Sequence, residues 1–524
     1  MLPVQSLDHR SQSSSNQLAL IANLIRNLSQ SGVSYCHWKS NHRLSEFMSG
    51  IGDLDLLVAA DDRGRFQSTL SELGFLRATT SWTRSHAAIE HYYGLDADTG
   101  RLVHLHVYYR LVTGGILVKD YELPFASQLL NDTQISHGVP IPAIERELLV
   151  FVIRKLLEAS TWTERYLLRK GWSQTRPEWQ WLQNDDDHRH HQGVRTRALQ
   201  FAEESYHSAF AEILRKGMIA LEREDWSAAK RCGQALRREL AGHCIVPPLR
   251  SHVRRLVRAF GICISKAFGC PKKKQLSPTG LVIAITGCDG SGKSHSVKEL
   301  QKRLGGTFSI RRLHLGRPGV TGFLWRLFRR YKTRNPGSNA HDSSGAATTS
   351  VSVVKRAIRY LLAWERRKAA IRAKRWASHG EIVICDRYPS LRAGMDGPSQ
   401  CEANGASSWQ SFWLRMEKKQ YQQIPPADLV IRLVAPPETL RRRLIGRGET
   451  TGIGKTFDSR YQMAEKLVIP AHRTVAISAI DSPSEIQRQI LQTIWSSLGC
   501  EQNSTKTSVN HAAANRIAAR IAAI

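Results

Sequence analysis

The apolar run Leu281-Val282-Ile283-Ala284-Ile285 leads almost directly into Gly287-Cys288-Asp289-Gly290-Ser291-Gly292-Lys293-Ser294, which matches G-x-x-x-x-G-K-[ST]. A short run of aliphatic residues bounded by glycine reads as a strand buried on both faces, and such strands belong to parallel sheets covered by helices. The glycines let successive backbone N–H groups turn toward one anion, and the helix that follows adds its positive end. Lys293 is then in reach of β- and γ-phosphates, and the Ser294 hydroxyl can ligate Mg²⁺. The expected ligands are therefore ATP and Mg²⁺, held by Gly287, Asp289, Gly290, Ser291, Gly292, Lys293 and Ser294.

At 524 residues the chain exceeds one ordinary hydrophobic core, so several domains are expected. The net charge of +30 predicts anionic partners, but nucleotides, phosphorylated sugars, nucleic acid and an anionic membrane surface all suit such a field. Nine cysteines without a C-x-x-C pair read as reduced thiols. The Ser-rich stretch from Met1 to Gln17 lacks the apolar core of a secretory signal, and no apolar run approaches the length of a membrane span. The expectation is a soluble, cytoplasmic protein.

Composition shifts at the basic, proline-punctuated segment Cys270–Gly280, which predicts a boundary between two halves. The expected order is a flexible N-terminus over 1–29, an α/β domain with a helical extension over 30–265, a basic linker over 266–279, a parallel-sheet domain over 280–500 and a tail over 501–524. Apolar residues at helical spacing from Ile144 to Leu157 begin the helical extension, which continues through Arg195 to Ser265. The polar stretch from Asn335 to Ser350 reads as a mobile excursion. The run Asp185 to His191 carries metal-capable side chains without apolar neighbours and reads as a solvated loop.

In the C-terminal half, β-rich runs at Phe308–Leu315, Glu381–Cys385, Leu429–Val434 and Thr474–Ile480 alternate with helical stretches, the pattern of a parallel sheet with flanking helices. The run Glu381–Cys385 ends directly in Asp386-Arg387-Tyr388, placing a carboxylate and a guanidinium at the carboxyl end of a strand, where ligands bind in such sheets. Phosphoryl transfer asks mainly for cations around the transferred group. Lys293, Arg387, Arg443, Arg447 and a Mg²⁺ ion on Ser294 make a sensible set, with Asp386 holding a Mg²⁺-bound water or orienting the acceptor. Arg443 serves equally well as a surface charge.

Residues 280–498 resemble the thymidylate kinase family of P-loop nucleoside monophosphate kinases. The likeness rests on Gly287–Ser294, on Asp386-Arg387-Tyr388, on Asp428-Leu429 followed by Pro436-Pro437-Glu438, and on Arg443 with Arg447-Gly448-Glu449. It implies ATP- and Mg²⁺-dependent phosphorylation of a nucleoside monophosphate or similar small phosphorylated acceptor, with Asp289 meeting the acceptor's sugar hydroxyl. Departures bear on the acceptor. After Asp386-Arg387-Tyr388 the chain reads Pro389 to Pro398 without the family's thymidylate-holding residues, and Gly316-Arg317-Pro318-Gly319 lacks the usual acidic residue. Arg366 and Arg367 are the nearest counterparts of the arginine that touches the acceptor, out of register by at least one residue.

In the N-terminal half, Gly52-Asp53-Leu54-Asp55-Leu56-Leu57-Val58 sets two carboxylates on one face of a strand, a spacing that can bridge Mg²⁺. With Lys39-Ser40 upstream, the run resembles the polymerase β-like nucleotidyltransferase superfamily, in which a third carboxylate is expected where this chain has His104 and His106. Three readings stand: Asp53 and Asp55 bind metal and transfer a nucleotidyl group, the fold keeps only binding capacity, or the carboxylates mark an ordinary strand end. For the whole chain, the alternatives to a small-molecule kinase are a nucleic-acid end-processing kinase, which the charge permits but no recognition motif supports, and a non-catalytic nucleotide-binding regulator.

Overall fold

A computed structural model describes residues 17–80, 86, 88–115, 117–184, 193–267, 273–277, 279–316, 345–394, 396–399, 408–448 and 455–500. The chain divides into two compact units, Met1–Lys272 and Lys273–Ile524. Both are mixed α/β, and among the described residues no helix is long and apolar enough to cross a membrane.

The first unit contains a mixed sheet of β1 (Tyr35–His37), β2 (Asp53–Val58), β3 (Leu76–Thr79), β4 (Ile89–Leu95) and β5 (Leu102–Tyr108), in the order β1-β2-β5-β4-β3. Only β2 and β5 run parallel; the other neighbours are antiparallel. Alternation along β2 and β5 separates two faces. Leu54, Leu56 and Val58 join Val103, Leu105 and Val107 in a core closed by Ile21, Leu24 and Leu28 of helix Ala19–Gln30 and by Phe66 and Leu70 of helix Arg63–Glu72. The same alternation sends Asp53, Asp55, His104 and His106 to the opposite face.

Two hairpins follow, β6 (Val112–Gly114) with β7 (Lys119–Glu122) and β8 (Thr133–Ser136) with β9 (Val139–Pro142). Beyond them, helix Ile144–Ala159 is the axis of a second core, buried along Leu148, Leu149, Val152, Ile153, Leu156 and Leu157. Helices Trp162–Trp181, Val194–Ser205, Ser208–Glu222 and Trp226–Glu239 surround it. The last of these comes close because Gly233 has no side chain; a Cβ there would stand 2.0 Å from the carbonyl oxygen of Leu156. Asp225 caps this helix, accepting from the N–H groups of Ser227 and Ala228 at 3.0 Å each, an arrangement that contributes about 1 kcal/mol. Helix Pro248–Ala267 closes the unit and takes in the first two residues of the expected linker; a short strand, β10 (Gln275–Leu276), forms from its later part.

In the second unit, β11 (Leu281–Gly287), β12 (Ile310–His314), β13 (Ile382–Asp386), β14 (Ala427–Val434) and β15 (Ala471–Ser478) form a sheet in the order β12-β13-β11-β14-β15, with every pair parallel. Central β11 is buried through Thr286, and each of Val282, Ile283 and Ile285 contributes roughly 1.5–3 kcal/mol by leaving water. Helix Gly345–Ser378 presents Ala363, Ala370, Ala373 and Ala377 to the sheet, and these small side chains allow close packing against Val282, Ala284 and Val383. This helix takes in the last six residues of the stretch expected as an excursion, because Ala, Thr, Ser and Val from 345 onward continue the helical run; 335–344 lie outside the described residues. The Asp185–His191 run, Arg317–Gly319, Glu449 and the ends over 1–16 and 501–524 also lie outside them.

Candidate active site

At its carboxyl end β11 turns through Gly287 (φ +148°), Gly290 (φ +87°) and Gly292 (φ +89°) into helix Lys293–Gly305. All three conformations lie where side chains are rarely tolerated. Gly287 has a second reason to be glycine: a Cβ there would sit 2.6 Å from the carbonyl oxygen of Leu433 on neighbouring β14. The turn is pressed against the sheet and delivers the helix N-terminus, with its unpaired first-turn N–H groups, to the strand ends.

The Lys293 side chain lies back over this turn. Its Nζ donates to the Cys288 carbonyl at 2.7 Å and stands 3.6 Å from Asp289 Oδ1. Burial lowers its pKa, with the Asp289 carboxylate acting in the opposite direction. Beneath the turn, the Ser291 hydroxyl is buried and has no hydrogen-bond partner, whereas Ser294 is exposed on the first helical turn.

Asp386 and Arg387 arrive from β13. The Arg387 N–H donates to Ile285 O of β11 at 3.3 Å, extending the parallel ladder beyond the last paired residue. Arg387 itself has φ +66°, a left-handed conformation that costs a non-glycine residue on the order of 1 kcal/mol or more. This bend sends its guanidinium back toward the glycine turn, where Nη2 stands 3.3 Å from Asp289 Oδ1. Gly316 makes room for it: a Cβ there would lie 3.0 Å from Arg387 Cδ. Asp386 is flanked by His314 Nδ1 at 3.6 Å and Arg312 Nη2 at 3.4 Å, both from β12. His314 above all, with help from Arg312 and against partial burial, holds the Asp386 carboxyl below its ordinary pKa.

These groups open onto one cleft of about 350 Å³, lined by Asp289, Lys293, Ser294, Asp386, Arg387 and Arg447, with Gly290, Gly292, His295, His314 and Leu444 completing the wall. Arg447 follows helix Pro437–Ile445 and reaches the cleft, whereas Arg443 on that helix is not among the residues lining it. An anionic carboxylate and an exposed hydroxyl are hard oxygen donors of the kind Mg²⁺ takes, and a helix N-terminus with three cationic side chains suits a polyphosphate. The residues present therefore fit Mg²⁺ and a nucleoside triphosphate.

Arg366, one of the two out-of-register counterparts of an acceptor-touching arginine, is engaged with the protein itself. It is 4% exposed and donates to the carbonyls of Leu315 and Gly316 at 2.9 and 2.5 Å and to the Tyr421 hydroxyl at 2.6 Å. It also pairs with Asp396 Oδ1 at 3.2 Å. Arg367 donates to Gln420 Oε1 at 3.1 Å. Sequence reading missed His314, His295 and Asp396, because polar residues at a strand end, a helix start and a loop declare no chemistry until the sheet gathers them.

In the first unit, the parallel register sets Asp53 opposite His104 and Asp55 opposite His106. His104 Nδ1 contacts Asp53 Oδ1 at 2.5 Å, and His106 Nδ1 lies 3.3 Å from Asp55 Oδ1. Lys39 Nζ pairs with Asp55 Oδ1 at 2.9 Å, while Ser40, at φ +60°, turns away to donate to Glu178 Oε1 at 3.1 Å. Burial works against the Asp55 carboxylate, but Lys39 and His106 outweigh it and hold its pKa below the ordinary value. The structure thus brings Asp53 and Asp55 together and occupies both with cationic or N–H groups.

No protein-family profile matches the chain. It is 28% identical over 156 residues to the uncharacterized ATP-binding protein YghS of Escherichia coli strain K12, a match covering 27% of this chain and 62% of that protein. It is 27% identical over 167 residues to the uncharacterized ATP-binding protein YghR of the same strain, covering 30% of this chain and 66% of YghR. The chain thus spans just under two thirds of the length of the curated relatives it matches. Both relatives are named for ATP.

Proposed function

We propose that residues 280–500 bind ATP with Mg²⁺ and transfer its terminal phosphoryl group to a nucleoside monophosphate or similar small phosphorylated acceptor, in the manner of a thymidylate kinase-like P-loop enzyme. The observation that carries this reading is the meeting of Lys293, Ser294, Asp386, Arg387 and Arg447 around one cleft at the mouth of the glycine turn. The ATP-binding names of YghS and YghR support the nucleotide.

An acceptor phosphate is already ionised, so its oxygen attacks the γ-phosphorus without a general base as the bond to the β,γ-bridging oxygen breaks and ADP leaves. Catalysis is then positioning and charge compensation. The Gly287–Ser294 turn and the N-terminus of helix Lys293–Gly305 hold the β- and γ-oxygens, and Lys293 swings from the Cys288 carbonyl onto them. Arg387 and Arg447 face the equatorial oxygens of the group in flight. Mg²⁺, held through Ser294 and Asp386, supplies further charge neutralisation when bound. Arg447 in the same cleft as Lys293 favours turnover over purely regulatory binding, since both can follow charge as it moves.

Nucleotidyl transfer at Asp53 and Asp55 has less behind it, because Lys39 and His104 already engage those carboxylates.

The test is product analysis of the full chain with Mg-ATP against a panel of nucleoside monophosphates, sugar phosphates and DNA ends, in wild type, Lys293→Ala and Asp53→Ala. Transfer to a monophosphate that is lost in Lys293→Ala and kept in Asp53→Ala is the expected result. ATP hydrolysis at one slow rate whatever acceptor is offered would sink the proposal.

A further inference from the structure

We propose that His91, His104 and His106 form a binding site for a divalent transition ion of the Zn²⁺ class, independent of the phosphoryl-transfer cleft. The three imidazoles come from neighbouring strands. Antiparallel pairing sets His91 of β4 opposite His106 of β5, and His104 lies two residues earlier on the same face of β5. One ligand atom from each lies within 4.8 Å of the others.

One pair already has the separation of co-ligands. His91 Nδ1 and His104 Nε2 are 3.2 Å apart, and two nitrogens at about 2.05 Å from a tetrahedral ion stand about 3.4 Å from each other. His91 and His106 are half-buried, while His104, 8% exposed, is the most enclosed of the three. Tyr93 stacks on the His104 ring at 4.2 Å between centroids and nearly parallel, which sets the plane of the imidazole.

The carboxylates then take outer-sphere positions. With Nδ1 of His104 against Asp53 at 2.5 Å, its Nε2 is the atom turned toward His91. A carboxylate on the far ring nitrogen fixes the tautomer of a ligating histidine and raises its basicity. His106 lies between both carboxylates, its Nδ1 3.3 Å from Asp55 Oδ1 and its Nε2 3.7 Å from Asp53 Oδ2. With neutral imidazoles, the charges of Asp53, Asp55 and Lys39 sum to minus one, which favours a dication. An all-imidazole donor set selects Zn²⁺, Cu²⁺, Ni²⁺ or Fe²⁺ over Mg²⁺ and Ca²⁺. Both carboxylates, the donors Mg²⁺ would need, are engaged by Lys39 and the histidines.

The experiment uses untagged full-length chain in which His188, His190 and His191 are replaced by alanine, so that these metal-capable side chains do not contribute to the count. Zn²⁺ content after dialysis, and Co²⁺ titration followed by visible d–d absorption, are the readouts. We expect one equivalent bound, with a tetrahedral Co²⁺ spectrum displaced by Zn²⁺ and unaffected by excess Mg²⁺. Asp53→Asn should weaken Zn²⁺ about 10–100-fold with the circular dichroism spectrum unchanged. His91→Gln should weaken it by more, again with the circular dichroism spectrum unchanged. Absence of bound metal, binding unaltered by His91→Gln, or a Co²⁺–thiolate charge-transfer band reporting cysteine ligation would each overturn the assignment.

Discussion

Arg366 and Arg387 grip opposite oxygens of a single carboxylate: Arg366 Nη2 lies 3.2 Å from Asp396 Oδ1, and Arg387 Nη1 lies 3.3 Å from Asp396 Oδ2. Asp396 thereby ties a guanidinium buried beneath the sheet edge to one that faces the cleft. Removing it leaves Arg366 with an uncompensated charge in the interior and Arg387 held by Asp289 alone. Asp396→Ala is expected to destabilise the second unit by about 3 kcal/mol, and Asp396→Asn by less, because the amide oxygen keeps one bond. Urea denaturation of the two variants checks this.

Arg443 and Arg447 share one helix and its exit, yet only Arg447 lines the cleft. Arg447→Ala should lower kcat for phosphoryl transfer by about 10²-fold or more, while Arg443→Ala stays within a few-fold of wild type. Steady-state kinetics with the best acceptor from the product screen distinguishes them. Equal losses would mean that the helix end rearranges around substrate.

Gly287 and Gly292 both have positive φ, but a Cβ at Gly292 meets no atom within 4 Å, whereas one at Gly287 runs into the Leu433 carbonyl at 2.6 Å. Gly292→Ala should cost about 1–2 kcal/mol for its backbone conformation alone. Gly287→Ala adds a clash with main chain that cannot rotate away, and should cost more. Denaturant midpoints measured side by side give the ordering.

Lys119 lines a cavity of about 760 Å³ in the first unit, together with Arg63, Arg110, Arg254 and Arg258. Burial pushes its pKa down to about 8, with Arg154, Lys39 and Lys155 adding to the shift and Glu158 opposing it. Between pH 8 and the ordinary value of 10.5 the unfolded chain holds a proton on this lysine that the folded chain has released, so this group makes stability rise with pH across that window. Below pH 8 the folded state carries the cost of a charge held on a half-buried side chain. Lys119→Met should therefore stabilise the protein at pH 7 by about 2 kcal/mol, an advantage that shrinks as pH approaches 10.5. Chemical denaturation of variant and wild type at several pH values measures the difference.

Much of the second unit was legible in the chain itself. Leu281–Ile285 reads as a doubly buried strand because every residue is aliphatic, and Gly287–Ser294 reads as a tight turn into a helix because the spacing of its glycines permits little else. The carboxylate and guanidinium of Asp386 and Arg387 are equally visible at the end of an apolar run. In the first unit, Asp53-Leu54-Asp55-Leu56 alternates at the strand period, which is enough to put both carboxylates on one face.

What the chain could not declare is which partners each group meets across strands and loops, since those follow from register and sheet order over tens of residues. Arg366 lies near, but out of register with, an acceptor-touching arginine in sequence, and it bonds two carbonyls, a tyrosine and Asp396 once its helix docks on the sheet. His91 carries no signal thirteen residues from His104, until antiparallel pairing of β4 and β5 brings their ring nitrogens to 3.2 Å. Local spacing determined the strand, the turn and the faces; only long-range pairing decided which charges they would confront.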